Sequence, residues 1–433
     1  MNLFSLRNVW LFVMIAAVGF ALYSRTEIPA ARLEEMQDRQ AKFMMKLLAS
    51  QTLLSREAAE SLKQPMEKQV RDQLAAIEKQ NPGRSAFPIE KFILLSALGD
   101  KAERPPMGRE DLLKDVDKLY FRSEPLGDDS PLFKLGSGDL ARLYQEERKD
   151  AESAKKLRKE LEGNARILEA AMVVFSLGAF GIFALGLVMT YLFFRRIPEV
   201  RFFPILQILD DESHRLMLEA AVIYMFLVFP VGLAFGKFAA GYFPDPITYA
   251  LVHLSLAFAI SVIYYIRSAG IGVFRQLLLP AKEDWFKEVV LGFLGFAAIF
   301  PPAIFALLLV LSAMSGDAVR VAHPIAFVIA ENPIKVFILA AVLVPIFEEV
   351  VFRVFLYGYF RKTQRIRFAA FFSASVFAVL HPQGVFALPY LAILGMGLAA
   401  LREYRNSPIA SITAHACVNG FAVVVGWATM RLF

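Results

Sequence analysis

The chain has 433 residues; 57% are hydrophobic, 40 are phenylalanine, and the mean hydropathy is +0.48. That excludes an ordinary soluble enzyme, yet 20% charged residues is too many for a chain wholly inside a bilayer, so two parts are expected. A net charge of +6 fits basic loops beside membrane spans better than nucleic-acid binding, the lone Cys417 excludes an internal disulfide, and the CxxC and HExxH metal motifs are absent.

Residues 8–23 (NVWLFVMIAAVGFALY) follow Arg7 and read as a signal anchor over residues 1–23; Gly19 and Ala21 would also permit cleavage after Ala21. Residues 24–165 hold most of the charge and are expected to form a small helical domain outside the membrane. Leu33, Met36, Phe43 and Leu47 recur at helical spacing, as do Met66, Val70, Leu74 and Ile77. Pro65 should end or kink a helix, and NPGRSAFP and ERPP are loops. From Asp139, a possible cap, the sequence reads as one helix running into the next span. The charges of this domain are a solvated face, and no catalytic constellation stands out.

From 166 to 433, apolar spans are placed near 167–194, 216–238, 246–266, 289–314, 333–360, 368–381, 384–401 and 408–432. With the anchor, the fold class is an all-α polytopic membrane protein of about nine transmembrane helices. Pro301 and Pro302 should kink the fifth span. Arg195, Arg196, Arg201, Arg267, Arg275, Arg361, Lys362, Arg365, Arg402 and Arg405 all follow even-numbered spans, which puts that side and the N-terminus in the cytoplasm. Residues 24–165 are then extracytoplasmic, and the chain sits in a bacterial inner membrane.

The span at 333–360 carries Glu348, Glu349 and Arg353. Each charge costs about 2.5–3.5 kcal/mol at a membrane helix centre, so function is favoured over packing. Glu349 and Arg353 are four apart and can pair, while Glu348 lies about 100° round the helix and stays outside that contact. Two more polar groups follow. Phe377 sits one turn before His381, and His415 shares a helix face with Asn419. A bland reading exists for each: a buried ion pair, a histidine bonded to a neighbouring helix, an asparagine as interhelical glue. Ser411 shares the His415 face, but no GxSxG elbow supports a serine hydrolase. Cys417 points away from His415 and reads as a small buried filler. At about 1.5 Å per residue, the groups can meet in a watered cavity between the midplane and the cytoplasmic side. A carboxylate with a histidine can activate water, and a histidine with an amide can donate to an oxyanion. Burial beside Glu349 suits Glu348 to general-base work.

The motifs EExxxR, FxxxH and HxxxN, in this order on successive membrane helices, resemble the CPBP family. It comprises the type II CAAX prenyl proteases and bacterial relatives, including bacteriocin-processing and self-immunity proteins. The resemblance covers about the last half of the chain, with its motifs inside 333–424, and nothing carries over to the anchor or the outer domain. It implies an intramembrane endopeptidase: Glu348 and His381 activate water, His415 and Asn419 hold the oxyanion, and Glu349, Arg353 and Phe377 support. It implies no cofactor; zinc on two histidines and a glutamate is chemically conceivable but disfavoured. The partners implied are a membrane-associated protein or peptide substrate and the lipid bilayer, with a protein partner open for the outer domain. A non-catalytic immunity, scaffold or partner-binding protein is the alternative, and a proton-coupled transporter the third reading.

Overall fold

A computed structural model describes residues 30–80, 87–105, 109–196, 209–239, 242–279, 284–313, 332–381 and 385–431, with isolated positions elsewhere. Among the described residues every regular element is helical, as expected. Of the anchor, 9–11, 13–15 and 18 are described and helical; cleavage after Ala21 lies outside the described residues. The chain divides into two compact units, residues 28–178 and residues 179–431 with 1–27.

The first unit contains the helices Ala30–Ser55, Glu60–Gln80, Phe87–Ala97, Glu110–Val116 and Gly138–Lys149. Of the apolar spacing read from the sequence, Leu47, Val70, Leu74 and Ile77 are buried, the last three in a core with Ile93, Leu112 and Val116; Met66 is half-buried, and the side chains of Leu33, Met36 and Phe43 lie outside the described residues. The helix at 60 continues through Pro65, which lies within its first two turns. The single helix expected from Asp139 is two. Lys149 ends the first, Asp150 is extended, and Ala151–Arg196 begins afresh. Asp150 causes the break. Its carboxylate accepts from the Ser153 N–H (3.0 Å) and hydroxyl (2.6 Å), an N-cap that competes with a continuous helix. Asp139 lies in the first turn of the earlier helix, behind Ser137 at the cap position. A fully buried Glu90 accepts from the Gly136 N–H at 2.9 Å and pins the preceding loop to the core.

In the second unit, helices Asp211–Gly236, Pro246–Ala269, Trp285–Val310 and Pro408–Trp427 are long and apolar enough to cross a membrane; Phe180–Leu192 is an apolar stretch of helix Ala151–Arg196, and Ile366–Leu380 is a shorter apolar helix. Trp285–Ala313 packs on Pro408–Arg431 and on Leu388–Arg405, which in turn packs on Ile366–Leu380. Pro301 and Pro302 sit inside Trp285–Ala313 without ending it. Pro302 has no N–H for the Ala298 carbonyl, and Thr190 Oγ1 donates to that oxygen at 2.6 Å instead. Gly186 permits the approach, because a Cβ there would lie 2.1 Å from the Ala297 carbonyl oxygen.

Two arginines read as solvated flanks are buried. Arg361 pairs with Glu403 (3.0 Å), which also accepts from Tyr357 Oη (2.7 Å). Arg402 donates to the Leu277 carbonyl at 2.8 Å. Long side chains at a span end thus fold back onto backbone and carboxylate partners.

Candidate active site

The centre of the second unit is the helical run from Pro333 to Thr363, which is not uniformly α-helical. Ile338–Leu343 and Glu349–Leu356 are π-helical, and the short α segment Val344–Glu348 lies between them. The Val344 N–H reaches back five residues to Leu339, not four to Ala340. Pro345 has no N–H to give. The Ala340 carbonyl accepts instead from Asn419 Nδ2 at 2.9 Å. Such π turns recur at functional sites, and here the two carboxylates stand on the junction of a regular and a widened turn.

Glu349 and Arg353 pair as their spacing predicts, at 3.5 Å and with both side chains fully buried. Glu349 also accepts from His415 Nδ1 at 3.1 Å. That contact fixes the imidazole: a carboxylate held against a guanidinium can only accept, so Nδ1 carries a proton and Nε2 faces Glu348. His415 Nε2 and His381 Nε2 each lie 3.7 Å from the same Glu348 oxygen, Oε2. These separations are too long for direct hydrogen bonds and suit bridging water. Glu348 and His381 keep 17% and 14% side-chain exposure, whereas His415 and Glu349 keep 1% and none.

His381 is the residue just past helix Ile366–Leu380, in extended backbone. Its Nδ1 lies 2.7 Å from the Phe377 carbonyl. A carbonyl only accepts, so Nδ1 is the protonated nitrogen and Nε2 presents a lone pair toward Glu348. Phe377, fully buried, does more than pack beneath His381. Its ring centroid is 4.2 Å from that of His381 and 5.8 Å from that of His415, and the Arg353 guanidinium sits 4.8 Å over its face. Gly395 allows this hub: a Cβ there would meet Ala374 at 2.9 Å and the Phe377 ring at 3.3 Å. Arg353 makes no hydrogen bond to another side chain or the backbone among the described residues, so the ion pair and the Phe377 ring are what offset its burial.

All seven residues singled out from the sequence therefore lie in this one unit, in two linked contacts. Glu348 meets His381 and His415; Glu349 meets Arg353 and His415. Asn419 bonds the backbone about two turns before Glu348, at Ala340, the bond anticipated by the glue reading. Sequence reasoning missed the Glu349–His415 bond and the π turns; Ser411, weighed there only as a nucleophile, has its hydroxyl beside the Glu349 carboxylate. Pro345, three residues before Glu348, was the available signal for the π turns. Cys417 is half-buried and takes no part. Among the described residues no group of three or more His, Cys, Asp or Glu side chains is placed to hold a metal ion.

An all-helical chain with several apolar helices and a carboxylate–histidine cluster between them defines a multi-pass membrane protein with an enzyme-like site. Residues 330–421, which contain every motif, match the family described as Type II CAAX prenyl endopeptidase Rce1-like. The resemblance read from the motifs is thereby supported over that stretch, which is about a fifth of the chain. No curated protein and no solved structure matches the chain.

Proposed function

We propose that the protein is an intramembrane endopeptidase that hydrolyses a peptide bond of a membrane-associated protein or peptide. The observation that carries this reading is the placement of two imidazole nitrogens, His381 Nε2 and His415 Nε2, 3.7 Å from one oxygen of a partly exposed glutamate. A water between Glu348 and His381 meets two acceptors. It donates one hydrogen to Oε2 and one to Nε2, and its lone pair then faces outward to an incoming carbonyl. Glu348 takes the proton as the water oxygen bonds to the carbonyl carbon. As the tetrahedral intermediate collapses, the same proton passes from Glu348 to the departing amine.

The oxyanion is held by His415 and Asn419. With Nδ1–H given to Glu349, His415 donates from Nε2 only as the imidazolium. Glu349, kept ionised by Arg353, is the counter-charge that supports this form. The membrane arrangement is nine spans with the N-terminus cytoplasmic, residues 24–165 extracytoplasmic, and the bacterial inner membrane as the site of action. No cofactor is needed, and the outer domain recruits or gates a partner or substrate.

The test compares protein termini in membranes of cells carrying wild type or Glu348→Gln at matched abundance. Termini present with wild type, lost with the variant and insensitive to chelators are expected, and they name the substrate. Identical profiles would overturn the protease reading in favour of a partner-binding role.

A further inference from the structure

The proline three residues before Glu348 has no place in the chemistry above, yet it sits where it decides the environment of Asn419. We infer that Pro345 is a positioning residue. By withholding an N–H inside the motif helix it leaves the Ala340 carbonyl as a fixed acceptor, and that acceptor orients the Asn419 amide. This deepens the protease reading and rests on it for its functional part.

The argument starts from the backbone. In a regular α-helix the Ala340 oxygen would accept from the Val344 N–H; here Val344 donates to Leu339. In a π turn the donor five residues on would be residue 345, which is proline and has none. A carbonyl left without its helical donor in an apolar core must find one, because an unmet acceptor there costs more than a bond elsewhere. Asn419 Nδ2, from helix Pro408–Arg431, supplies it at 2.9 Å. Since a carbonyl can only accept, the contact also fixes which end of the amide points to Ala340: the nitrogen does, and the oxygen does not.

The same device at Ala298 shows what a purely packing version looks like. The Ala298 carbonyl, deprived by Pro302, is met by Thr190 Oγ1 at 2.6 Å. A hydroxyl has one hydrogen, and that bond consumes it. An amide has two, in one plane and at a fixed angle. Anchoring one hydrogen of Asn419 to Ala340 therefore sets the direction of the second, on the helix face that carries His415 one turn earlier. Asparagine at 419 is thus suited to bracing two helices and presenting a donor at once, which threonine at 190 is not.

The experiment uses the full-length chain in detergent micelles, with selective 15N labelling of asparagine side chains. The Asn419 amide signal is assigned by its loss in Asn419→Asp. Three quantities are read in wild type, Pro345→Ala, Asn419→Ala and the double variant: that amide signal, the melting temperature, and the rate at which Glu348-dependent termini appear. Pro345→Ala is expected to melt at or above the wild-type temperature, since proline is the poorest residue in a helix interior. Its Asn419 amide signal should shift and exchange faster. Its cleavage should slow at least tenfold, and the double variant should be no slower than Asn419→Ala, as residues acting in series require. A lowered melting temperature with proportionate loss of cleavage would mean a structural role only. An unshifted amide signal, or a shifted one with wild-type cleavage, would overturn the positioning role. If wild type yields no Glu348-dependent termini, the protease reading fails separately, and the amide signal alone decides the clamp: shifted in Pro345→Ala upholds it, unshifted overturns it.

Discussion

At the scale of single residues, the paired glutamates divide their work by partner. Glu349 is fully buried between Arg353 and His415, and Glu348, partly exposed as a side chain, sets a buried oxygen, Oε2, between two imidazoles. The sequence spacing predicted the Glu349–Arg353 pair, with Arg353 holding Glu349 charged so that the two carboxylates do not compete for one proton, but not the partner that uses that charge. His415 is that partner, because a neutral group in place of Glu349 could accept the Nδ1–H but could not balance an imidazolium. Arg353→Met leaves the Glu349 charge buried without its guanidinium, and should lower stability by about 3–5 kcal/mol, seen as an earlier melt in detergent. Glu349→Gln combined with Arg353→Met removes both charges and should recover most of that loss. Cleavage in the double variant should nonetheless stay about a hundredfold below wild type, the size of losing one oxyanion donor. Wild-type cleavage in the double variant would show that the pair serves packing alone.

At the scale of elements, the sequence told position better than internal geometry. The spacing of Val70, Leu74 and Ile77 and the apolar runs after 166 located helices, because burial of one face leaves a periodic trace. The break at Asp150 and the π turns around Glu348 left only point signals, a capping aspartate and a proline. Such signals compete with a strong helical pattern on both sides and lose to it when the chain is read by period. Contacts between helices distant in sequence, such as His415 with Glu349, leave no periodic trace at all. Another capping residue permits a sharper test. Asp245 caps Pro246–Ala269 through the Thr248 N–H (2.8 Å) and binds Lys335 at the start of the motif run (2.7 Å). Those bonds, the lysine first, hold its carboxyl down to about 2. A depressed folded value means the contribution to stability is complete above the ordinary aspartate value near 4 and is lost as pH falls through about 2. The melting temperature should therefore drop between pH 4 and 2 more in wild type than in Asp245→Asn, which keeps a capping side chain but no titrating charge. Equal drops in both would show that other carboxylates carry the acid sensitivity.

At the scale of the whole molecule, the arrangement of spans decides which side of the membrane the site serves. The sequence puts the basic residues of alternate loops on one face, and the burial of Arg361 and Arg402 removes two of them from the solvated set. The asymmetry still stands on Lys362, Arg365 and Arg405, with Lys362 also bonded to the Leu209 carbonyl at 2.9 Å. Charge bias orients a membrane chain through residues near the span ends, including those that fold back onto the protein, so the cytoplasmic assignment of the 361–367 loop survives this burial. The chain has a single cysteine, which makes the assignment open to direct labelling. In a Cys417→Ser background, Asp128→Cys reports on the outer domain and Gln364→Cys on that loop, both positions being exposed. A membrane-impermeant maleimide added to cells with a permeable outer envelope should label the first without lysis and the second only after the inner membrane is opened. The opposite pattern would invert the proposed topology and turn the cytoplasmic side assigned to the 361–367 loop to the outside. Labelling of both positions before lysis would mean that an odd number of the assigned spans does not cross between them.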